Sequence, residues 1–503
     1  MKEYDIIIIG TGMGGLVCGS ILSREGLRVC MLEKNKQIGG SLQIFVRDKV
    51  IFDSGVHYLG GLEKGQTLYQ IFKWLGILDK LKLERMDEGS FDRILIEGDS
   101  QEYPLAQGYP KFMSTLISSF PAEEKAIRAY CEKIKMVCAR FPLYNLERGG
   151  SLEEKGEALT LSAKQYIESL TSDPILQAVL AGNNILYAGS GDDTPFYVHA
   201  LVLNSYIESA WKCLDGGAMI GQWLARSIRE HGGEIRTRSR VDKFITNQER
   251  VEAVQLEDGS LVHGKDFISN MHPNQTIDRI ESPLIRSTYR RRLKSLPNTV
   301  SAFILNIVFK KEAFPYFKQN YYYHKKGHAW SMADYNEENW PLGYAIYLTA
   351  SSRSQTFSEG MTVFTYMRYG EVMPWASSFN TTVEKNDRGE SYEQFKDERS
   401  QKLLDCVEEK FPAIRQAIQS YSSSTPLSLR DYIGTDDGSL YGIAKDFREP
   451  FKTLIPPRTK LPNLYLTGQN LNLHGILGSA LSGLLTCTAY LGNDAFIEKI
   501  KNA

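Results

Sequence analysis

The chain has 503 residues and a formal net charge of −1, with 59 lysines and arginines against 60 aspartates and glutamates. This length predicts two or three compact units at roughly 150 residues each. The balanced charge excludes the basic field of proteins that bind nucleic acid nonspecifically, so we expect no nucleic-acid partner. The 7 cysteines are widely spaced and form no CxxC pair, which favours a reducing, cytoplasmic compartment. The apolar run near the start is shorter than a signal-peptide core, so we expect no export signal.

The first 33 residues predict a strand, a helix and a second strand. Residues 4–9 form a continuous apolar run, which is typical of a parallel strand covered on both faces. Leu16, Ile21 and Leu22 fall on a helix that Gly26 can end, and residues 28–32 return as a strand. The connection between such strands is right-handed, which places the two strands side by side in one sheet.

A glycine-rich turn joins this strand to this helix. Gly10, Gly12 and Gly15 have the GxGxxG spacing, and Glu33 ends the second strand. The first glycine permits a tight turn, the second a close approach of a pyrophosphate, and the third close helix packing. Glu33 can accept hydrogen bonds from ribose hydroxyls. The pattern predicts a dinucleotide site at the helix N-terminus.

The later segments predict an interleaved α/β protein. Residues 65–205 have mostly helical periodicity, a helix opens at Gly216-Gly217, and strands are expected at 234–246, 252–256, 301–309, 344–348, 361–367 and 464–467. Residues 476–491 predict a buried helix, too polar to cross a bilayer. We therefore assign 1–65, 206–285 and 426–503 to a Rossmann-type dinucleotide domain. Residues 66–205 and 286–425 form an α+β substrate domain.

Further glycine-rich segments favour FAD over NAD. Small residues within 38–41 and 52–55 let the chain pass close to a long cofactor, and 475–483 predicts a second helix N-terminus. With 52–60, 215–220 and 434–442, these segments resemble the FAD-dependent amine oxidase and phytoene desaturase superfamily. Within it they are similar to the branch of carotenoid desaturases, carotenoid isomerases and retinol saturases (all-trans-retinol 13,14-reductases). The resemblance implies the glutathione reductase-like fold of that superfamily.

The resemblance implies a noncovalent FAD. The expected cofactor contacts are Gly10, Gly12, Met13, Gly14, Gly15, Glu33, Lys34, Gly40, Ser41, Val241, Gly468, Gln469, Gly475 and Ile476. Gln469 and Asn470 stand where many flavoproteins have an acidic residue after the strand, and an amide can make the same hydrogen bonds to ribityl hydroxyls. Only one dinucleotide fingerprint is present, so we expect an external electron donor or acceptor rather than a second nucleotide domain.

The candidate catalytic residues are His57, Tyr58 and Tyr441. His57 can move a proton near neutral pH. The alternative is that His57 hydrogen-bonds a carbonyl group while Tyr58 packs. His324 and His328 lack the further ligands that a structural metal needs, so we expect no metal site.

Two segments of the sequence each have two alternative interpretations. The aromatic residues from 314 to 375 either line a tunnel for a polyene or fill a core. The basic residues Arg286, Arg290, Arg291, Arg292 and Lys294 either contact anionic lipid or form a solvated helix face. Asp436-Asp437-Gly438 is expected to be a turn.

The resemblance implies a FAD-dependent oxidoreductase that acts on carbon–carbon double bonds of a long apolar polyene or isoprenoid. Saturation, desaturation and isomerisation share this chemistry, and the narrower motifs favour saturation. A cytoplasmic chain that touches membranes fits such a substrate. Two alternatives stay open: a flavin amine oxidase, and a non-enzymatic lipid-escort protein of the GDP dissociation inhibitor type.

Overall fold

A computed structural model describes residues 4–149, 152–383 and 387–503. The strands are β1 (Tyr4–Ile9), β2 (Val29–Leu32), β3 (Ile44–Arg47), β4 (Val50–Asp53), β5 (Leu59–Gly60), β6 (Leu83–Arg85), β7 (Asp92–Ile96), β8 (Tyr103–Leu105), β9 (Ala210–Cys213), β10 (Glu234–Arg236), β11 (Val241–Thr246), β12 (Val251–Leu256), β13 (Leu261–Ser269), β14 (Ser301–Phe309), β15 (Asn320–His324), β16 (Gly343–Leu348), β17 (Gly360–Met367), β18 (Ile418–Ser424) and β19 (Leu464–Leu466).

The α-helices are α1 (Met13–Arg24), α2 (Thr67–Trp74), α3 (Tyr109–Ser119), α4 (Glu124–Ala139), α5 (Leu152–Thr160), α6 (Ala163–Leu170), α7 (Pro174–Leu180), α8 (Phe196–Glu208), α9 (Ala218–Glu230), α10 (Pro273–Asp278), α11 (Ser287–Lys294), α12 (Glu390–Lys410), α13 (Ile414–Ala417), α14 (Pro426–Ile433), α15 (Pro450–Thr453), α16 (Gly475–Leu491) and α17 (Ala495–Lys501). Short 3-10 turns lie at Gly40–Leu42, Leu78–Lys80, Pro121–Glu123, Pro142–Asn145, Asn184–Tyr187 and Tyr369–Trp375.

The first sheet has the strand order β10-β2-β1-β13-β12-β11, with β19 also paired to β13. Strands β10, β2, β1, β13 and β19 run parallel, whereas β12 pairs antiparallel with both β11 and β13. The predicted strand–helix–strand unit at the N-terminus is confirmed, because β1 and β2 pair in parallel and α1 connects them.

Helix α1 lies close to the strands because of its small residues. A Cβ atom at Gly15 would lie 2.4 Å from the carbonyl oxygen of Gly10, and one at Gly19 would lie 2.8 Å from the sulfur of Met31. Helices α9 and α16 pack against α1. The predicted buried helix at 476–491 is confirmed as α16, and the predicted helix after Gly217 is confirmed as α9.

The prediction of one continuous strand at 234–246 is wrong. Strand β10 lies at one edge of the first sheet and β11 at the other, so the chain must cross the sheet between them. The crossing segment passes the carboxyl end of β2, where the Ser239 amide donates to the Glu33 carbonyl oxygen at 2.8 Å. This crossing brings residues 239–241 beside the predicted dinucleotide site.

The second sheet has the order β18-β14-β17-β16-β15-β7-β8. The helical prediction for 65–205 is partly wrong, because β7 and β8 belong to this sheet and β7 pairs in parallel with β15. Alternate residues of each strand point to opposite faces. On β14, Phe303 and Leu305 pack in a core that includes side chains of α12, while Ile304 joins a core shared with the first sheet.

The same alternation places three aromatic residues of neighbouring strands on the inner face of the second sheet. Tyr347 lies on β16, and Phe364 and Tyr366 lie on β17; all three belong to the shared core. The registers pair Tyr347 with Thr362, and Phe364 with Ala345. This inner face forms one wall of the site described below.

The strands of the first sheet come from 4–32, 234–269 and 464–466, and those of the second sheet come from 92–105, 301–367 and 418–424. Strands β5, β9 and β6 form a separate small sheet in that order. In sequence, these strands lie between segments of the first sheet and segments of the second sheet. The domain boundaries given above stay predictions. Among the described residues, no helix combines the length and the apolar character needed to cross a bilayer.

Candidate active site

A cavity of about 450 Å³ is bordered by both sheets and by residues 185–186. It is lined by all of the predicted cofactor and catalytic residues except Gly15: Gly10, Gly12, Met13, Gly14, Glu33, Lys34, Gly40, Ser41, His57, Tyr58, Val241, Tyr441, Gly468, Gln469, Gly475 and Ile476. Gly15 instead packs α1 against the turn, as its Cβ distance shows. The fold thus brings residues from distant parts of the chain to one space.

The glycine turn closes around a residue that sequence reasoning missed, Asn270. Asn270 directly follows β13, and its amide donates to the Ile9 carbonyl oxygen at 2.8 Å. A Cβ at Gly12 would lie 2.6 Å from Asn270 Nδ2, and a Cβ at Gly468 would lie 2.4 Å from Asn270 Oδ1. A Cβ at Gly14 would meet the Gly468 backbone at 2.8 Å. The absence of side chains at these glycines is therefore a steric requirement.

Glu33 is buried at the end of β2 and already has protein partners. Its Oε2 accepts hydrogen bonds from the Thr11 amide at 3.1 Å and from Thr11 Oγ1 at 2.5 Å, and its Oε1 accepts from the Asn35 amide at 2.9 Å. The carboxylate thus tethers the glycine turn while it lines the cavity. Its role towards a ribose stays a prediction.

Basic side chains surround the same end of the cavity. Lys34, Arg240 and Arg279 all line it. Lys34 Nζ donates to the Asp431 carbonyl oxygen at 2.9 Å, and burial lowers the pKa of Lys34 to about 8. Arg279 Nε donates to the Val241 carbonyl oxygen at 3.1 Å. This end of the cavity therefore offers positive charge to an anionic ligand.

Two helix N-termini contribute to the cavity wall. Helix α1 is capped by Gly12, and α16 is capped by His474, with Gly475 and Ile476 lining the cavity. The first turn of a helix has unpaired amide donors and a partial positive charge. These termini, the glycine turn and the basic side chains together fit a long dinucleotide cofactor.

Asn470 and Gln469 differ in their availability to a cofactor. Asn470 Oδ1 accepts a hydrogen bond from the Ile443 amide at 3.0 Å. Among the described residues no hydrogen bond to the Gln469 side chain is found, and Gln469 lines the cavity. Gln469 is thus better placed than Asn470 to replace the acidic residue that many flavoproteins have at this position.

The other end of the cavity is aromatic and apolar. Its uncharged lining consists of His57, Tyr58, Ile185, Leu186, Tyr206, Ile304, Tyr347, Phe364, Leu440 and Tyr441. Of the aromatic residues between 314 and 375, Tyr347 and Phe364 line this cavity, whereas others pack in the core, so both interpretations given above apply to part of the segment. Phe314 packs against Phe309 and Phe411, with ring centroids 4.4 and 5.3 Å away.

His57 is a neutral aromatic residue in this setting. Its ring stacks on Tyr347, with centroids 4.4 Å apart and planes 6° from parallel. Burial, with a contribution from the Lys212 charge, lowers the pKa of His57 to about 3. Within the part of the chain that the structure describes, the His57 ring has no hydrogen-bond partner, so the carbonyl contact considered above is not formed.

A chain of hydroxyl groups leads from the cavity to a buried carboxyl group. Tyr347 donates to the Tyr322 hydroxyl at 3.1 Å, and the Tyr322 and Tyr58 hydroxyls lie 2.7 Å apart. Tyr58 donates to Asp92 Oδ2 at 2.8 Å. Tyr58 and Tyr347 line the cavity, whereas Tyr322 and Asp92 lie behind them. The arrangement can conduct a proton between Asp92 and the cavity.

Asp92 is fully buried, and its carboxyl group is held by amide groups. Asn320 Nδ2 donates to Oδ1 at 3.0 Å, and Asn183 Nδ2 lies 3.5 Å from Oδ2. Burial is the main cause that raises the pKa of Asp92 to about 7, although these hydrogen bonds and the Lys212 charge oppose the shift. Sequence reasoning missed Asp92 because its segment was predicted to be helical.

The hydroxyl group of Tyr441 forms one hydrogen bond within the described part of the protein. Its hydroxyl donates to the Ile185 carbonyl oxygen at 3.1 Å, and its ring lies 4.7 Å from that of His474. Burial raises the pKa of Tyr441 above its usual range. Tyr441 therefore remains protonated and forms part of the cavity wall, and its predicted catalytic role stays a prediction.

The histidines considered for a metal site have other contacts. His324 Nε2 lies 2.5 Å from the Gly182 carbonyl oxygen, and His328 Nδ1 lies 3.0 Å from Ser331 Oγ. Across residues 4–149, 152–383 and 387–503, no group of three or more histidine, cysteine or acidic side chains is arranged to hold a metal ion.

Some of the basic side chains of α11 form hydrogen bonds or ion pairs with other parts of the protein. Arg290 donates to the Ile277 and Ile280 carbonyl oxygens. Lys294 forms an ion pair with Asp278 at 2.7 Å. These contacts favour the interpretation as a helix face over that of a lipid-binding patch.

Comparison with known proteins supports the sequence-based resemblance. Residues 8–75 match a family described as an NAD(P)-binding Rossmann-like domain. The chain is 26% identical to all-trans-retinol 13,14-reductase of Rattus norvegicus over 97% of this chain and 85% of the relative. It is 24% identical to the chloroplastic prolycopene isomerase of Daucus carota over 99% of this chain and 81% of the relative. Cyclohexylamine oxidase from Brevibacterium oxydans shares the fold, with a TM-score of 0.61 and 13% identity over 99% of this chain and 100% of the other.

The predicted resemblance to the retinol saturase and carotenoid isomerase branch of the amine oxidase superfamily is confirmed. The predicted α/β fold class is confirmed by the amine oxidase structure and by the sheets themselves. The matched Rossmann-like family supports the predicted dinucleotide site at the glycine turn, and the amine oxidase structure shows the shared fold.

Proposed function

We propose that this relative of the all-trans-retinol 13,14-reductases and prolycopene isomerases is a FAD-dependent oxidoreductase of polyene carbon–carbon double bonds. Its named relatives act on a retinoid and a carotenoid, both of which are apolar polyenes. The reductases of Rattus norvegicus and Danio rerio match at 26% identity and the isomerase of Daucus carota at 24%, which favours saturation of a double bond.

One observation carries the proposal: a single cavity joins the basic, glycine-lined end to the uncharged aromatic end. A dinucleotide that extends from Glu33 past the glycine turn would reach Gly475 and Tyr441 with its flavin ring. An apolar substrate would then lie among Tyr206, Ile304 and their neighbours. Such a substrate has no charge for an ion pair, so its binding would come mainly from buried area, at about 25 cal/mol per Å².

Bound FAD would supply hydride exchange with one carbon of the double bond. The protein must then move a proton at the neighbouring carbon. Tyr58 is the best placed donor, because it lines the cavity and its hydroxyl contacts Asp92. In saturation, the Tyr58 hydroxyl gives its proton to the substrate carbon and takes the proton of the Asp92 carboxyl group. In desaturation the same groups accept the proton.

His57 has a positioning role in this proposal. An imidazole with a pKa of about 3 is a poor base at neutral pH, and it lacks the second ring proton that an imidazolium ion donates as an acid. Its ring holds Tyr347 by stacking and thereby supports the hydroxyl chain. Electrons come from an external donor in saturation, and they pass to an external acceptor in desaturation. The substrate enters from a membrane surface, and the cytoplasmic location stays a prediction.

The function is tested with purified protein supplied with FAD. We expect visible flavin absorbance and, after anaerobic chemical reduction, a shift of all-trans-retinol absorbance to shorter wavelength as one double bond is lost. Oxidised protein provides the control, because it has no hydride to transfer. Oxidation of primary amines without any change in the polyene would identify an amine oxidase instead. A protein that binds polyenes but no flavin would be an escort protein.

Substitution of His57 separates positioning from proton transfer. The variant His57→Phe keeps an aromatic ring against Tyr347, so we expect it to retain flavin, turnover and the pH profile. His57→Ala removes the stacking partner and should lower turnover. Steady-state kinetics at several pH values measures both variants. A loss of ~10² or more in His57→Phe with full flavin content would assign the proton transfer to His57.

A further inference from the structure

Lys445 is a buried lysine whose hydrogen bonds match its charged form. It is 5% exposed. Its Nζ donates to the carbonyl oxygens of Thr453, Asn470 and Leu471 at 2.8, 2.9 and 3.0 Å. An ammonium group has three N–H donors and no acceptor, so three carbonyl partners satisfy it completely. The protein therefore contains a site built to hold a positive charge in its interior.

This charge has no carboxylate partner. Among the described residues Lys445 forms no ion pair, and burial lowers its pKa to about 7. His474 lies close enough to feel the charge but is neutral, because burial, with a contribution from Lys445, lowers the pKa of His474 to about 3. Buried charges are normally paired, since an unpaired charge in a protein interior is costly. A buried cation without a counter-charge indicates that an anionic part of a ligand completes it.

Lys445 lies behind the cavity wall at the end where we place the reaction. Tyr441, Asn470 and Gly475 line this end of the cavity. The amide of Ile443 donates to Asn470 Oδ1 at 3.0 Å, and Lys445 Nζ donates to the carbonyl oxygen of the same residue. The segment that follows Tyr441 is thus fastened twice to the turn that precedes Gly475. Lys445 is separated from the cavity by the backbone of one lining residue.

Two parts of a bound FAD can carry negative charge. The pyrophosphate is charged in both redox states, and we place it at the glycine turn that contains Gly12. The oxidised flavin ring is uncharged, whereas uptake of two electrons and one proton leaves it with one negative charge. We place the ring beside Tyr441 and Gly475, the side on which Lys445 lies. Because the interaction of two charges weakens with distance, Lys445 acts mainly on the ring.

We propose that Lys445 stabilises the reduced flavin, so that the protein binds reduced FAD more tightly than oxidised FAD. This inference rests on the proposed function, because it requires FAD in the cavity. The external donor supplies the two electrons, the solvent supplies the one proton, and Lys445 keeps its own proton throughout. A nearby charge of this kind is one of the means by which proteins tune a flavin. The cofactor is then easier to load with electrons.

The test measures the midpoint potential of the bound flavin and the affinity for FAD at about pH 6, below the pKa of Lys445. Lys445→Gln removes the charge but retains N–H donors for the carbonyl groups, whereas Lys445→Arg retains the charge. We expect Lys445→Gln to reduce the preference for reduced over oxidised FAD by about tenfold, which for a two-electron couple equals a potential about 30 mV lower. Lys445→Arg should keep the wild-type potential.

The matched control is Lys452→Gln. Lys452 lies on α15, beside Thr453, and its exposed side chain pairs with Glu449 at 2.9 Å. Water and salt screen a charge at the surface, so this variant should keep the wild-type potential. Flavin content and melting temperature verify the fold of each variant.

The outcomes separate this inference from the proposed function. A wild-type potential in Lys445→Gln with full flavin content would overturn the inference. An equal loss of affinity for oxidised and reduced FAD would overturn it in favour of the pyrophosphate. A shift in Lys445→Arg as large as that in Lys445→Gln would assign the effect to shape rather than charge.

One measurement needs no variant. If wild type bound oxidised FAD more tightly than reduced FAD, the inference would be wrong even if Lys445→Gln did not fold. Wild type that binds no flavin in either redox state would contradict the proposed function itself.

Discussion

Replacement of Gly12 with valine is expected to abolish FAD binding. A Cβ at this position would lie 2.6 Å from Asn270 Nδ2, and the further methyl groups of valine would project towards the cavity that Gly12 lines. The Asn270 backbone is fixed by its hydrogen bond to Ile9, so the side chain has little room to withdraw. Flavin per protein after gel filtration, measured from absorbance, should fall from near one to near zero.

The control for this variant is Gly370→Val. Gly370 is exposed, and its Cβ position has no heavy atom within 4 Å. We expect it to keep its flavin and its melting temperature. If Gly12→Val retained stoichiometric FAD, the glycine turn would not be the pyrophosphate site. A melting temperature close to wild type in Gly12→Val would show that the loss is local.

Replacement of Asp92 with asparagine should lower turnover by ~10² or more while flavin content is unchanged. Tyr58 donates to Asp92 Oδ2, and an amide in that position cannot pass a proton to the tyrosine. The pKa of Asp92 is raised to about 7, so saturation by wild type should slow above pH 7 as the proton is lost. The variant should lack this limb of the profile. Steady-state kinetics from pH 5 to pH 9, about two pH units on either side of this pKa, measures both the loss of turnover and the change in the pH profile.

Stability should change with pH in a related way. The folded pKa of Asp92, about 7, exceeds the ordinary value of 3.8. The folded state therefore binds more protons than the unfolded state between these values, and the contribution of Asp92 to stability declines as pH rises through this window. Asp92→Asn should remove that decline, which thermal unfolding at several pH values will show.

A matched control for Asp92 is Asp79→Asn. Asp79 is exposed and pairs with Lys73 at the surface, so its loss should affect neither turnover nor the pH profile. If Asp92→Asn kept normal turnover and the same pH limb, the hydroxyl chain would be structural. The proton would then have to come from another group at the cavity wall.

Much of the dinucleotide end could be predicted from sequence because its determinants are local. Gly10 adopts a φ of 91°, a conformation that favours glycine, and it stands between an apolar strand and a helix with a small-residue face. Strand β14 was likewise predicted at its observed bounds, because residues 301–309 are rich in strand-forming types. These features depend on neighbours within a few residues.

Other strands were missed because long-range pairing outweighs local preference. Strand β13 contains Gly264, Lys265 and Asp266, yet it lies in the centre of the first sheet, between β1 and its later partners. Strand β18 is rich in serine and is held by antiparallel pairing with β14. Neither sequence has the alternation or the apolar run that identifies a strand in isolation.

The sequence by itself determined the glycine turn, its flanking strand and helix, and the kind of cofactor that they fit. Only the tertiary structure decided which residues meet the substrate end. Tyr58, Asp92 and Tyr322 lie on separate strands or loops, and their contacts join positions 34 and 264 residues apart. The physical reason is that these contacts depend on the register and the alternating faces of paired strands, which bring together residues that share no local pattern.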